Sequence, residues 1–343
     1  MPHGRKDTVH SEAPTPVSKD ARLLIPAPEN PRHAHLGWPK IVRAGDGTLV
    51  AAYVAAEVHT RQGCPAVSLS MDDGQSFSAP HILQEFGEGE PFYHCGNVAL
   101  GTADDGALVL LAMAMDKNRQ QNTIVGWRST DAGRTWEEAD TSTLAGRVGS
   151  VYGHVFAIPN RGLAVGGHFR EGPGLAQEGL WLALSEDHGR SWGEPAIVTR
   201  SRWFEPAFWH TDGRIVCIAR DNSVEQYPQL VSDDLGETWR EEPSKIGNRK
   251  GMPSPFLISR REQPTELFAL QTLRRRDAGV YLWSADVHAL QWRKGRTLVR
   301  FPEEGDYGYP WMTQIDDRHW MLLFYCGVVE GPNSIWGMKI QLT

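Results

Sequence analysis

The chain has 343 residues, 40% of them hydrophobic and 22% charged, so it holds enough apolar material for a large core despite 35 Gly and 22 Pro. The length fits two domains or one all-β or barrel domain, and the composition excludes a disordered or collagen-like chain. A net charge of −7 gives no broad basic face for a phosphate backbone, which argues against nucleic acid as a partner.

In chain order, residues 1–19 are polar, contain three prolines and lack the apolar core of an export signal, so they read as a disordered leader ahead of one domain over residues 20–343. Nothing in the chain is apolar for long enough to span a membrane, and no membrane partner is expected. Cys64, Cys95, Cys217 and Cys326 stand far apart with no C-x-x-C pair. A reducing compartment, the cytoplasm, follows, or secretion if a signal peptide has been removed. Ala21–Ile25 is a short apolar strand. Pro39–Tyr53 then reads as a hairpin turning at Asp46-Gly47, followed by the segment Ser70-Met-Asp72-Asp-Gly74-Gln-Ser76-Phe77.

This unit recurs. Hairpins follow over Asn97–Ala112 at Asp105-Gly106, over His154–Gly167 at Arg161-Gly162, and over Ala207–Ala219 at Asp212-Gly213. Pro255–Leu270 and Trp311–Tyr325 repeat the pattern without the glycine. The box S-x-D-x-G-x-[ST]-[WF] recurs from Ser129 to Trp136, from Ser185 to Trp192 and from Ser232 to Trp239, with a decayed copy from Ser284 to Trp292. Copies fall roughly 50 residues apart, a spacing that suits four strands per unit. Each box reads as a turn satisfied by its own Asp and Ser/Thr side chains, with glycine at positive φ and an aromatic ring beneath. Asp72, Asp131, Asp187 and Asp234 are therefore scaffold and not acid/base or calcium groups. The units predict an all-β chain, a six-bladed β-propeller of four-stranded blades whose last blade is closed by the N-terminal strand.

With these boxes the chain resembles the sialidase (neuraminidase) superfamily of Asp-box, or BNR-repeat, propellers, from about Arg22 to the C-terminus. The resemblance implies a sugar-processing site, and its residues map one by one. A Glu opening an innermost strand, a D-G turn and an Arg ending the next strand correspond to Glu205, Asp212-Gly213 and Arg220. The nucleophilic Tyr of the last blade corresponds to Tyr309 in Gly308-Tyr309-Pro310-Trp311. A further Arg, eight or nine residues ahead of a late box, corresponds to Arg276 or Arg275. A Tyr paired with a Glu base is a neutral nucleophile suited to an anomeric carbon that bears its own carboxylate, and arginines clamp that carboxylate. Taken singly, Arg220 could equally serve an inter-blade salt bridge, and Tyr309 could be a core ring.

Two departures stand against these matches. Gly37-Trp38-Pro39 replaces the family's Arg-Ile-Pro, and residues 60–69 contain no carboxylate where the family carries its acid Asp. Histidines occur instead at strand starts and ends: His33, His35, His59, His94, His154 and His168. His59 is the first candidate to replace the acid, because imidazole titrates near neutrality. His94 and His154, with Trp38 and Trp311, are candidates to contact substrate, since sugar rings stack on aromatic faces. No metal-binding spacing is present, so neither metal nor cofactor is expected. Three functions fit: an exo-acting glycoside hydrolase on a sialic- or uronic-acid-type sugar, a propeller polysaccharide lyase or His-dependent glycosidase on uronic-acid glycans, and a non-catalytic glycan-binding propeller.

Overall fold

The computed structural model describes residues 14–118, 122–145, 148–171, 177–247 and 249–342. The described residues form 24 strands and two single 3-10 turns, Pro31–His33 and Ser142–Leu144. No helix among them is long and apolar enough to cross a membrane.

The strands follow one another as antiparallel runs of four. The first run is β2 to β5 (His35–Arg43, Leu49–Ala56, Cys64–Ser70, His81–Ile82), which comes after a lone strand β1 (Arg22–Ile25). Next come β6 to β9 (His94–Thr102, Leu108–Met115, Asn122–Ser129, Glu137–Glu138) and β10 to β13 (Val148–Ile158, Gly162–Glu171, Gln177–Ser185, Ala196–Thr199). Then follow β14 to β17 (Phe204–Thr211, Arg214–Arg220, Pro228–Ser232, Arg240–Pro243) and β18 to β21 (Phe256–Ser259, Glu266–Leu273, Gly279–Asp286, Arg293–Arg300). The last three strands are β22 to β24 (Asp306–Gln314, His319–Gly327, Asn333–Gln341), and β1 pairs antiparallel with β24, Arg22 opposite Gly337.

The first strands of the runs lie beside one another in order: β2 by β6, β6 by β10, β10 by β14, β14 by β18, β18 by β22, and β22 by β2 again. The β6–β10 contact is parallel, pairing Gly153 with Ala99 and Val155 with Gly101. A Cβ on Gly101 would lie 1.8 Å from the Val155 carbonyl oxygen, so this approach requires glycine. Apolar side chains on both faces of the runs fill the space between them, with Trp320, Trp311, Tyr53 and Phe208 fully buried.

Each box is closed as its residue types dictate. Ser70 Oγ donates to Asp72 Oδ1 at 2.7 Å and accepts from the Gly74 amide at 2.9 Å. Ser76 donates to the same carboxylate through both its amide and its hydroxyl. The copies at Asp131, Asp187 and Asp234 repeat these bonds. Both the residue before the box glycine and the glycine itself have positive φ, as at Asp73 (54°) and Gly74 (81°). In the decayed copy Asp286 still accepts from the amides of His288 and Ala289.

The leader expected over residues 1–19 needs correction at its end. Val17 donates to the Arg300 carbonyl at 2.9 Å, Arg300 donates to Ser18 Oγ, and Cys326 donates to the Pro14 carbonyl, so residues 14–18 are bonded to the body of the fold. Residues 1–13 lie outside the described residues.

Candidate active site

The innermost strands share a local irregularity near their starts. Pairing slips between Gly37 and Lys40 in β2, between Phe204 and Ala207 in β14, and between Gly308 and Trp311 in β22. At these bulges Trp38, Glu205 and Tyr309 take φ of 56°, 47° and 48°, a left-handed conformation uncommon for bulky residues, and each is followed by proline. A bulge re-aims a side chain off the alternation of its strand. Ser254, also followed by proline, stands just ahead of β18.

Tyr309 Oη donates to Glu205 Oε1 at 2.9 Å. Arg220, at the end of β15, donates through Nη1 to Glu205 Oε2 at 3.1 Å and to Tyr309 Oη at 3.3 Å, while its Nε is held by Asn222 at 2.9 Å. Ser254 Oγ donates to Glu205 Oε2 as well. Burial opposes the Glu205 charge, but the Arg220 guanidinium and the bonds from Ser254 and Tyr309 outweigh it, and the carboxyl is held below its ordinary range. Burial and the Glu205 charge raise Tyr309 above an ordinary phenol, against Arg220 and Arg274, so the resting pair is carboxylate and phenol.

A second group adjoins the first. His59 Nδ1 lies 2.6 Å from Asp306 Oδ2, and because a carboxylate only accepts, that nitrogen carries the proton and Nε2 remains for an outside group. Asp306 is 3% exposed; Tyr325 Oη donates to its other oxygen at 3.1 Å, His35 Nε2 approaches within 3.3 Å and Arg274 within 3.7 Å. Burial raises the Asp306 carboxyl, but the adjoining histidines and the nearby Arg274 prevail and hold it well below the usual range. The Trp38 indole walls both groups, its ring centroid 5.0 Å from that of His59 and 6.2 Å from that of Tyr309.

Among the residues singled out from sequence, Tyr309, Glu205, Arg220, His59 and Trp38 therefore converge. Arg275 and Arg276 do not. Strand β19 ends at Leu273 and the chain turns, with Arg275 at φ 64°, so Arg276 stands 90% exposed against Asp277. The arginine directed inward is Arg274, which lies over the Tyr309 ring at 6.0 Å and donates to Tyr325 Oη at 2.9 Å. Counting back from Ser284 stops one or two residues short of Arg274.

His94, His154 and Trp311 are buried and take structural partners instead. His94 Nδ1 accepts from the Gly63 amide at 2.8 Å. His154 donates to the Leu257 carbonyl at 2.9 Å among the rings of Trp209, Phe256 and Trp311, and burial lowers it to about 3, so it is neutral. Trp311 and Tyr152 instead enclose a buried lysine: Lys40 Nζ lies 4.7 Å from each ring and donates to the Trp38 carbonyl at 3.2 Å. Burial, only partly offset by Glu205, lowers Lys40 to about 7.

Asp306, Ser254, Arg274 and Tyr325 were not singled out from sequence as site residues. Ser254 had a readable signal, because Trp38-Pro39, Glu205-Pro206, Ser254-Pro255 and Tyr309-Pro310 occupy like places in the first, fourth, fifth and sixth runs. Tyr325 had none; it reaches the site because β23 pairs it opposite Gly308.

Comparison with solved structures shows the fold these residues stand on. A protein of unknown function from Dyadobacter fermentans superposes with a TM-score of 0.74 at 16% identity, over 95% of this chain and 100% of that one. The Hadza microbial sialidase Hz136 superposes with a TM-score of 0.68 at 20% identity, over 91% of this chain and 68% of that one. Trypanosoma rangeli sialidase in complex with the inhibitor DANA gives 0.70 at 17% identity, over 89% and 55%. No curated protein gives a significant sequence match. The fold is all-β and sialidase-like, and the model of the BNR repeat-like domain matches residues 82–322, most of the chain. The chain belongs to the BNR repeat-like domain family, and its fold is like that of the sialidases.

Proposed function

We propose that the runs of four strands are the six blades of a propeller, the last completed by β1, and that the protein is an exo-acting glycoside hydrolase on an acidic sugar of the sialic- or uronic-acid type. The order of first strands around the molecule and the β1–β24 pairing support the blade count. The observation that carries the functional reading is the 2.9 Å bond from Tyr309 to a charged Glu205, with Arg220 touching both.

In this reading Glu205 takes the phenolic proton as Tyr309 Oη bonds to the anomeric carbon. The bond to the leaving group breaks, and its oxygen takes a proton from Nε2 of His59, which enters this step as the imidazolium with its Nδ1–H held by Asp306, and leaves it as the neutral ring. Water then displaces Tyr309 with the proton transfers reversed. A phenol suits this task because a carboxylate nucleophile would be repelled by the sugar's own carboxylate. Arg220 and Arg274, the cations beside Tyr309, are placed to bind that carboxylate. With Trp38 at the position of the family's first arginine, the clamp has two cations and an aromatic wall.

The His59–Asp306 dyad also favours a second reading, a lyase on uronic-acid glycans, in which Tyr309 or His59 removes a proton beside the sugar carboxylate. One experiment separates the readings. On a panel of sialosides and uronides, Tyr309→Phe is expected to lower turnover by roughly 10³-fold or more while leaving the fold intact. A slow fluorosugar substrate is expected to leave a covalent adduct on the peptide containing Gly308-Tyr309-Pro310, detected by mass spectrometry. Loss of turnover with an unsaturated product and no adduct establishes the lyase; full activity in Tyr309→Phe returns the residue to the core. No turnover of any panel sugar, with tight binding retained, leaves the glycan-binding propeller.

A further inference from the structure

The segment that carries His59 leaves β3 at Ala56 and re-enters the sheet at Cys64, the first residue of β4. At that point three side chains of ligand type converge from three parts of the chain. His33 Nε2 lies 3.3 Å from Glu85 Oε2 and 3.9 Å from Cys64 Sγ, and Sγ lies 3.4 Å from the same carboxylate oxygen. We propose that His33, Cys64 and Glu85 form a site for a divalent transition-metal ion, zinc by the chemistry of the set, which tethers the segment bearing His59 to the 3-10 turn Pro31–His33.

The triangle has the size the ion requires. With metal bonds of about 2.3 Å to sulfur and about 2.0–2.1 Å to nitrogen and oxygen, a tetrahedron has ligand-to-ligand edges of roughly 3.3–3.6 Å. The three observed edges bracket that range, so a metal enters with shifts of a few tenths of an ångström. Thiolate, imidazole and carboxylate together are a set that zinc accepts. Glu85, with its side chain 46% exposed, opens the triangle to solvent, whereas Cys64 is fully buried and His33 nearly so. The surroundings support the ligands: the Phe86 amide donates to Sγ at 3.3 Å, and Arg32, held by the Phe86 carbonyl at 2.7 Å, donates to Glu85. Binding forms a metal–sulfur bond, releases the Cys64 thiol proton to solvent and changes no oxidation state.

A second triangle, His35, His59 and Asp306, fails the same measure. Its 2.6 Å contact between His59 and Asp306 is a direct hydrogen bond, too short for a tetrahedral edge, and Tyr325 occupies the other carboxylate oxygen. The sequence expectation of no metal rested on spacing motifs. These three ligands come from segments 31 and 21 residues apart and leave no such motif.

The proposal stands independently of the hydrolase reading, and its test needs no substrate. The full chain, stripped with chelator, is titrated with Co²⁺ as a spectroscopic stand-in and then with Zn²⁺. Expected are a thiolate-to-cobalt charge-transfer band, its loss when Zn²⁺ displaces Co²⁺, and a Zn²⁺-dependent rise in Tm. Cys64→Ser should abolish the band although Cys95, Cys217 and Cys326 remain. Glu85→Gln, at a partly exposed position that leaves the core untouched, should weaken Zn²⁺ by at least the roughly 10–100-fold typical of losing even an outer partner. Absence of the band in the parent chain, its persistence in Cys64→Ser, or equal Zn²⁺ affinity in Glu85→Gln would overturn the site.

Discussion

Glu205 keeps its charge where burial alone would neutralise it, and it does so through donors from three other parts of the chain: Arg220, Ser254 and Tyr309. Each bond favours the ionised form, so removing one raises the carboxyl toward its ordinary value. A hydrogen bond to a charged group contributes about 1.5–3 kcal/mol, which corresponds to a shift of about one or two pH units. Ser254→Ala should therefore move the Glu205 midpoint upward by about one unit, read by carbon-13 NMR of the labelled carboxyl. Any rate that needs ionised Glu205 should then fall away at higher pH on the acid side than in the parent. An unchanged midpoint would remove Ser254 from the site. The same residues also hold strain: Trp38, Glu205 and Tyr309 each sit in a left-handed conformation that costs about 1–3 kcal/mol for a non-glycine residue, and proline follows each one. A chain that keeps three such positions around one cluster is spending conformational energy to aim those side chains.

For the elements, the box tryptophans are not equivalent. Trp192 is 4% exposed in its cluster, whereas Trp136 and Trp239 are half-buried and turn their indole N–H back onto the box at Gly133 and Gly236. Trp192→Ala should cost about 3–5 kcal/mol in urea unfolding and the other two less. Equal losses at all three would contradict this ranking. The elements were legible in sequence because their signals are local. The D-G turns mark hairpins, and the S-x-D-x-G-x-[ST] boxes are satisfied within eight residues, so both survive without knowledge of the rest of the molecule. The pair Glu205 and Tyr309 was legible through resemblance. Asp306 was not, because what gives it a role is the approach of His59 from a distant segment. Arg274 was missed for a smaller reason: the end of β19 sets which of three consecutive arginines faces inward, and composition does not mark strand ends to one residue.

Across the whole molecule, the carboxylates held by the boxes act together. Asp72, Asp131 and Asp234 lie at about 2, and Asp187 is also below its ordinary range. In the unfolded chain these groups titrate near about 3.9. Because the folded values are depressed, the stability they contribute is fully present above about pH 4 and is lost as the pH falls toward about 2. Urea unfolding should therefore show a steady loss of stability across that window, shared among boxes spread around the molecule, and a flat profile would count against the box bonding.

The pairing of β1 with β24 also shapes how the protein is made. Ala27, just past the first strand, is bonded to a residue 307 positions later, Ser334. A ribosome adding about 5–20 residues per second leaves that strand waiting for roughly 15–60 seconds before its partner emerges. Throughout that interval β1 has no edge to join, and its sheet cannot form until β24 has been made. That sheet therefore stays incomplete until β24 leaves the ribosome, and for that time Leu23 to Ile25 form an exposed apolar segment available to chaperones and to other nascent chains.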